Sequence, residues 1–204
     1  AGQLSSQHSQ NFENWFANTP GLKVVVPSNP YDAKGLLKAA IRDNDPTIFM
    51  ESELMYGDKG IVPEEEYILE IGKANIVRQG EDVTLVSFGK FMKIANECAI
   101  EMQKEGVDVE VIDLRSVRPI DYETIITSVK KTNRLVLLEE TWPVASISSD
   151  ISHIVQRNAF DHLDAPIYRV VSKDLPLPYA PTLIEEILPN VKKTISAINA
   201  VMYR

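Results

Sequence analysis

From residue 83 onward, apolar residues occur at two alternating spacings. Short unbroken runs at Val83–Ser87, Val109–Ile112, Leu135–Leu138 and Ile167–Val171 are separated by stretches in which apolar residues recur every three or four positions. Unbroken runs mark strands covered on both faces, and the wider spacing marks helices with one apolar side. A mostly parallel sheet in a three-layer α/β arrangement is the predicted fold class. Phe91, Ile94, Ala95, Cys98, Ala99 and Met102 form one such side, backed by Lys93, Glu97, Glu101 and Lys104, and Gly106 ends the helix. Cys98 is expected in the core. Asp121 is placed to cap a helix carrying Tyr122, Ile125, Ile126 and Val129, and Ile147, Ile151, Ile154 and Val155 define the next. The final helix is expected from Pro189, burying Val191, Ile195, Ile198 and Met202.

The first fifty residues follow a related pattern that stops early. Phe12, Trp15 and Phe16 are spaced for a short amphipathic helix that Pro20-Gly21 terminates. Leu22–Val26 reads as a strand. Asn29 and Pro30 open a helix with Ala33, Leu36, Leu37, Ala40 and Ile41 on one face, and Thr47–Met50 reads as a second short strand. Such a set is the tail of an α/β unit, expected to lack partners within this chain. Residues 51–70, with Met55-Tyr56-Gly57-Asp58-Lys59-Gly60 and the acidic Pro63-Glu64-Glu65-Glu66, show no apolar period and read as a linker. The predicted organisation is therefore a partial domain over 1–50, a linker over 51–70 and a complete domain over 71–204.

Composition narrows the function. With 29 acidic against 21 basic residues, the net charge of −8 repels phosphate backbones, so nucleic acid is not an expected ligand. No apolar run reaches the roughly 20 residues of a membrane span. A single cysteine excludes an internal disulfide and a cysteine-based metal cluster, which fits a reducing compartment. The opening Ala1-Gly2-Gln3-Leu4 has neither an initiator methionine nor a signal-peptide pattern and reads as the interior of a longer protein. Glycine-rich phosphate loops, H-E-x-x-H and G-x-S-x-G are all missing from the sequence.

The chemistry-bearing candidates are few. His153 falls opposite the apolar side of its helix and is expected in solvent, and His162 is placed to pack near that helix's end. His8 lies in the polar segment Ser5-Ser6-Gln7-His8-Ser9-Gln10, which suits either a site histidine among hydrogen-bonding neighbours or a frayed terminal one. Arg115, Arg118 and Asp121 follow a strand at its carboxyl end, where ligand-facing loops lie. Asp121 as an N-cap, with an arginine paired to Asp113, gives that turn a purely structural reading as well.

Several runs taken in order, Gln7-His8-Ser9-Gln10, Pro20-Gly21-Leu22-Lys23-Val24-Val25, Asp32-Ala33-Lys34-Gly35-Leu36, Ala40-Ile41-Arg42-Asp43-Asn44 and Glu53-Leu54-Met55-Tyr56-Gly57, resemble the β subunits of pyruvate dehydrogenase E1 components. Ile112-Asp113-Leu114-Arg115, Arg118-Pro119, Leu163-Asp164-Ala165-Pro166 and Leu177-Pro178-Tyr179-Ala180 continue that resemblance to the end of the chain. It implies a transketolase C-terminal-like domain preceded by the last part of a pyrimidine-binding domain. The activity implied is thiamine-diphosphate-dependent decarboxylation of pyruvate with reductive acetylation of a lipoyl group. Acetoin-cleaving, branched-chain and transketolase-like relatives stand as alternatives, as does a purely structural or docking module.

The resemblance assigns residues sparingly. His8 matches the active-site histidine that faces the thiazolium and the 2-oxo acid or lipoyl group. The glutamate that activates the aminopyrimidine lies upstream of this sequence, and the Mg-diphosphate fingerprint belongs to the α subunit. Neither thiamine diphosphate nor Mg is therefore expected to bind this chain alone. Ala40, Ile41, Asp43 and Asp45 match a potassium-binding loop built largely of carbonyl oxygens, with Asp45 where relatives can carry Asn; a simple polar helix end is the other reading. Asp161, Asp164, Glu185 and Glu186 lie where related subunits dock a basic domain of the E2 acyltransferase, Asp164 being the preferred contact against an ordinary acidic face. The partners implied are an α subunit, a second β subunit and E2, in a bacterial cytoplasm or a mitochondrial matrix.

Overall fold

The computed structural model describes residues 8–204. Helix α1 (Glu13–Ala17) precedes strand β1 (Lys23–Val25), helix α2 (Pro30–Arg42) and strand β2 (Thr47–Phe49). The larger unit contains β3 (Asn75–Arg78), β4 (Val83–Ser87), α3 (Met92–Lys104), β5 (Val109–Asp113), β6 (Ser116–Arg118) and α4 (Tyr122–Thr132). It continues with β7 (Leu135–Leu138), α5 (Ile147–Ala159), β8 (Tyr168–Val170), α6 (Pro181–Ile187) and α7 (Val191–Val201).

The main sheet has the order β3-β5-β4-β7-β8. Every pair is parallel except β3–β5, so β3 is an antiparallel edge strand. Strands β4, β5 and β7 are buried at every position because helices cover both faces. On one face, α3 and α7 enclose Leu85, Met102, Val111 and Ile198; on the other, α4 and α5 enclose Ile112, Ile125, Leu137 and Ile151. Cys98 lies in the first layer with no exposure, and its burial pushes the thiol up to about 12. Predicted N-caps hold: Asn29 accepts from the Asp32 amide, and Asp121 from the Thr124 amide.

The first fifty residues do find partners within the chain. Strand β6 leaves the larger unit to pair antiparallel with β1, giving the second sheet the order β2-β1-β6. A buried polar joint fastens the same seam. The Arg115 guanidinium pairs with Asp32 at 2.7 Å, the Arg115 carbonyl accepts from the Val26 amide, and Asp113 accepts from the Ser28 hydroxyl and the Arg115 amide. The expected side-chain pair between Asp113 and Arg115 or Arg118 is thus replaced, for Arg115, by a longer-range one. Arg118 instead donates to the Ala17 carbonyl. Arg115 sits at φ 60°, the left-handed turn that aims its side chain back at α2.

Three helices differ from the periodicity reading. Helix α1 buries Glu13 and Ala17, whereas Trp15 is 65% exposed. Helix α2 buries Asp32, Gly35 and Leu36 but leaves Leu37 and Ile41 outward. The final helix begins at Val191 after an Asn190 cap and turns Thr194, Ala197, Ile198 and Val201 inward. Residues 51–70 contain one 3-10 turn, Glu53–Met55, and lie against α2. Lys34 donates to the Pro63 and Glu65 carbonyls there, and the Tyr31 and Tyr67 rings stack at 4.6 Å.

Candidate functional site

A doubly wound sheet opens a crevice where successive helices leave in opposite directions. Here α3 leads from β4 toward β5, and α5 leads from β7 toward β8, so the switch lies beyond the carboxyl ends of β4 and β7. Gly89 and Lys90 follow β4 at this point, and Glu139 and Glu140 follow β7. Gly89 adopts φ +55°, and a Cβ there would come within 2.9 Å of Val26, so only glycine lets the loop close on β1.

Residues 8–18 lie across this crevice as a strap. Gln10 donates to the Leu177 carbonyl at 3.4 Å and accepts from the Leu177 amide at 3.3 Å. Asn11 donates to Glu140 at 3.1 Å, Asn14 to the Ala145 carbonyl at 3.3 Å, and the Phe12 and Trp142 rings lie 6.2 Å apart. Trp142 in turn donates to the Leu175 carbonyl. The loops after β7 and β8 therefore set where the strap lies.

Strap and crevice enclose a cavity of about 250 Å³ lined by His8, Glu13, Glu51, Glu53, Lys90 and Glu140, among others. His8 is exposed at its mouth, with Nδ1 2.8 Å from Glu53 Oε1. Lys90 pairs with the buried Glu140 at 2.7 Å. Glu13 is 7% exposed, and its Oε2 has no hydrogen-bond partner among the described residues. Burial pushes its carboxyl up to about 8, against the opposing pull of its own backbone amide; the Glu140 charge adds to the rise and Lys90 offsets part of it. Glu13 is thus a neutral acid at pH 7, next to the segment that carries His8.

Sequence reasoning singled out His8, which lines the cavity, but neither Glu13 nor the place of Glu53 beside it. Glu53 had a signal in the Glu-Leu-Met-Tyr-Gly run; Glu13 had none, because it occupies what reads as the polar side of an aromatic helix. Gln7 lies outside the described residues. His153 and His162 are exposed and away from this cavity. Among the described residues, no group of three or more His, Cys, Asp or Glu is arranged to hold a metal.

The two remaining site expectations fall on surface clusters. At the end of α2, the Lys23 ammonium lies 2.5 Å from Asp43 and 3.1 Å from Asp45, and the Asp43 amide donates to the Ala40 carbonyl. Both carboxylates thus already hold a monovalent cation belonging to the chain. Asp164 is half exposed, with its carboxylate 3.4 Å from Arg134 and its carbonyl accepting from Tyr203. Glu186 lies 3.8 Å from Lys173.

The described lining of the cavity offers no anchor for a diphosphate. Its carboxylates Glu51, Glu53 and Glu140 carry the same sign of charge as a diphosphate, and the one lysine among the lining residues is committed to Glu140. What it offers is an imidazole backed by a carboxylate and a neutral carboxylic acid, the set needed for moving protons at a small polar reactant.

These features define a two-segment α/β chain whose candidate site is built by laying an N-terminal strap over the switch point of a transketolase-like sheet. The chain belongs to the transketolase C-terminal domain family, whose model matches residues 72–194. Residues 1–59 match the pyrimidine binding domain of transketolase. It is 50% identical over 205 residues to the pyruvate dehydrogenase E1 component subunit beta of Rhizobium meliloti, covering 100% of this chain and 45% of that protein. It is also 48% identical over 194 residues to the acetoin:2,6-dichlorophenolindophenol oxidoreductase subunit beta of Bacillus subtilis, covering 95% of this chain and 57% of that one. The mitochondrial pyruvate dehydrogenase E1 component subunit beta of Dictyostelium discoideum is 44% identical, covering 98% of this chain and 58% of that protein. The chain spans about half the length of the curated relatives it matches. A split-gene transketolase, described as an inactive β4 tetramer, superposes with a TM-score of 0.76 over 93% of this chain and 60% of its own at 21% identity, a likeness of fold. Among the described residues, no helix is long and apolar enough to cross a membrane.

Proposed function

We propose that this chain is part of the β subunit of a pyruvate dehydrogenase E1 component. In that assembly thiamine diphosphate supplies the carbanion chemistry by which pyruvate is decarboxylated and the lipoyl group of E2 is acetylated. The observation that carries the reading is His8 in its Gln-His-Ser-Gln segment, held over the switch point and paired with Glu53. Relatives with the same printed role support it over the full chain. The cofactor and its Mg would be anchored by the α subunit and by the upstream part of the β subunit, so the chain alone is a structural and docking module. A second β subunit completes the assembly, in a bacterial cytoplasm or a mitochondrial matrix.

The test is a complete α/β assembly carrying this sequence, assayed with pyruvate, acetoin and branched-chain 2-oxo acids in parallel. Thiamine-diphosphate-dependent turnover of pyruvate, with acetyl transfer to a lipoyl domain strongly reduced by His8→Ala, is the expected result. Preferential turnover of acetoin would replace the reading with the one that the Bacillus subtilis relative favours.

Two finer assignments belong to the same reading. A potassium ion at the turn formed by Ala40, Ile41, Asp43 and Asp45 would be held through backbone oxygens, since Lys23 occupies both carboxylates. Higher thermal stability in potassium chloride than in choline chloride at equal ionic strength is its expected sign. Docking of a basic E2 domain at Asp164 would require Arg134 to share that carboxylate. Asp164→Asn should then weaken E2 binding and flatten its salt dependence.

A further inference from the structure

We propose that Glu53 is the positioning residue of His8, fixing the imidazole proton on Nδ1 and leaving Nε2 as the acceptor for a donor entering the cavity. The two residues are 45 positions apart and meet because the Glu53–Met55 turn after β2 is folded against the strap. A neutral imidazole has one N–H and one lone pair. At 2.8 Å from Glu53 Oε1, Nδ1 must donate, since the carboxylate only accepts. In the other tautomer the Nδ1 lone pair would face a carboxylate oxygen, and the charge-assisted bond would be lost. Such a bond shifts the tautomer ratio by about tenfold or more.

Glu53 is held for this role. Its residue opens the 3-10 turn, the Tyr56 amide donates to its carbonyl at 3.2 Å, and its Oε2 is buried. That oxygen has no partner among the described residues, so no other donor competes for the charge that Nδ1 uses. The consequence is directional: Nδ1 is occupied by Glu53, and Nε2 is the ring nitrogen left with a lone pair for an entering donor. This extends the proposed function, in which His8 is the site histidine, but the tautomer itself does not depend on that assignment.

The experiment is two-bond ¹H–¹⁵N correlation spectroscopy of the ¹⁵N-labelled chain at a pH where the rings are neutral, with His8→Asn identifying the His8 signals among the three histidines. Wild type should show His8 protonated on Nδ1. Glu53→Ala should move the ratio at least about tenfold toward the Nε2–H form, and Glu53→Gln, which keeps an acceptor oxygen within reach, should retain part of the Nδ1–H population. A wild-type His8 protonated on Nε2 overturns the proposal even if no variant folds, as does a ratio that Glu53→Ala leaves unchanged. An Nδ1–H tautomer in an assembly whose turnover ignores His8→Ala would instead remove His8 from the proposed mechanism and leave the dyad standing.

Discussion

Replacing Glu13 with Gln should stabilise the chain, and by an amount that depends on pH in a calculable way. The Glu13 carboxyl rises from an ordinary 4.5 to about 8 because burial disfavours its charge, with Glu140 and Glu139 adding repulsion and Lys90 opposing it. A raised carboxyl favours folding fully below the unfolded value and loses that contribution as pH climbs through the folded one. Between 4.5 and about 8 the unfolded chain ionises while the folded chain stays protonated, which costs about 1.4 kcal/mol per pH unit. At pH 7 that amounts to about 3 kcal/mol, a large share of the 5–15 kcal/mol typical of a folded domain.

Gln has the shape of the protonated acid and does not titrate. Urea unfolding of wild type and Glu13→Gln, measured from pH 5 to pH 9, should give curves that nearly meet at the acid end. They should separate to about 3 kcal/mol at pH 7 and level off above pH 8. Any cost of the new amide, which inherits a position with no partner, is independent of pH and displaces the difference without changing its slope. A difference that stays flat across the range would refute both the neutral carboxyl and the account of the cavity as a place that stores an unfavourable acid.

Other perturbations test the joint and the core. Asp113, buried beside Asp32 and raised to about 6 mainly by that burial, should lose stability contribution as pH rises from about 4 to 6, so Asp113→Asn should be near neutral at pH 4 and stabilising by up to about 3 kcal/mol at pH 7 in the same titration. Arg115→Met strands the buried Asp32 carboxylate and should cost about 3–5 kcal/mol, most of it recovered in the double variant with Asp32→Asn, as a double-mutant cycle by denaturation would read. Gly80→Ala would place a Cβ 2.2 Å from the Glu110 amide nitrogen and should lower stability by about 3 kcal/mol or more, visible as a drop in melting temperature.

The main sheet was legible because its strands are buried on both faces, and burial of that kind writes itself into sequence as unbroken runs. Val83–Ser87 and Leu135–Leu138 match residue for residue. Strand β6 has three residues, too few for any period, and its partner β1 lies about ninety positions away, so nothing local announces the pairing. Helix α1 misleads for a different reason. Aromatic spacing indicates the buried side of a helix only when the helix rests on an apolar core, and α1 rests on a polar crevice, so its carboxylate goes in and Trp15 stays out. His8 was recognisable through its motif, whereas its tie to Glu53 exists only once the chain is folded back after β2.

These exceptions have a common cause. A strap lying on the carboxyl end of a sheet cannot bury its aromatic side, because the sheet end presents loop carbonyls and charged residues instead of strand side chains. It must hold by polar bonds such as those of Gln10, Asn11 and Asn14, each worth about 1 kcal/mol net. Bonds of that strength fix direction better than they add stability, and direction is what a histidine needs if one nitrogen is to face a carboxylate and the other a reactant. The C-terminal unit therefore contributes Lys90 and Glu140 to the lining and also sets the strap's course: through Leu177, Glu140 and Ala145 it decides where residues 8–14 lie. Loosening any of these loops should reach His8 before it reaches the core, whose two apolar layers lie on the faces of the sheet and not at its end.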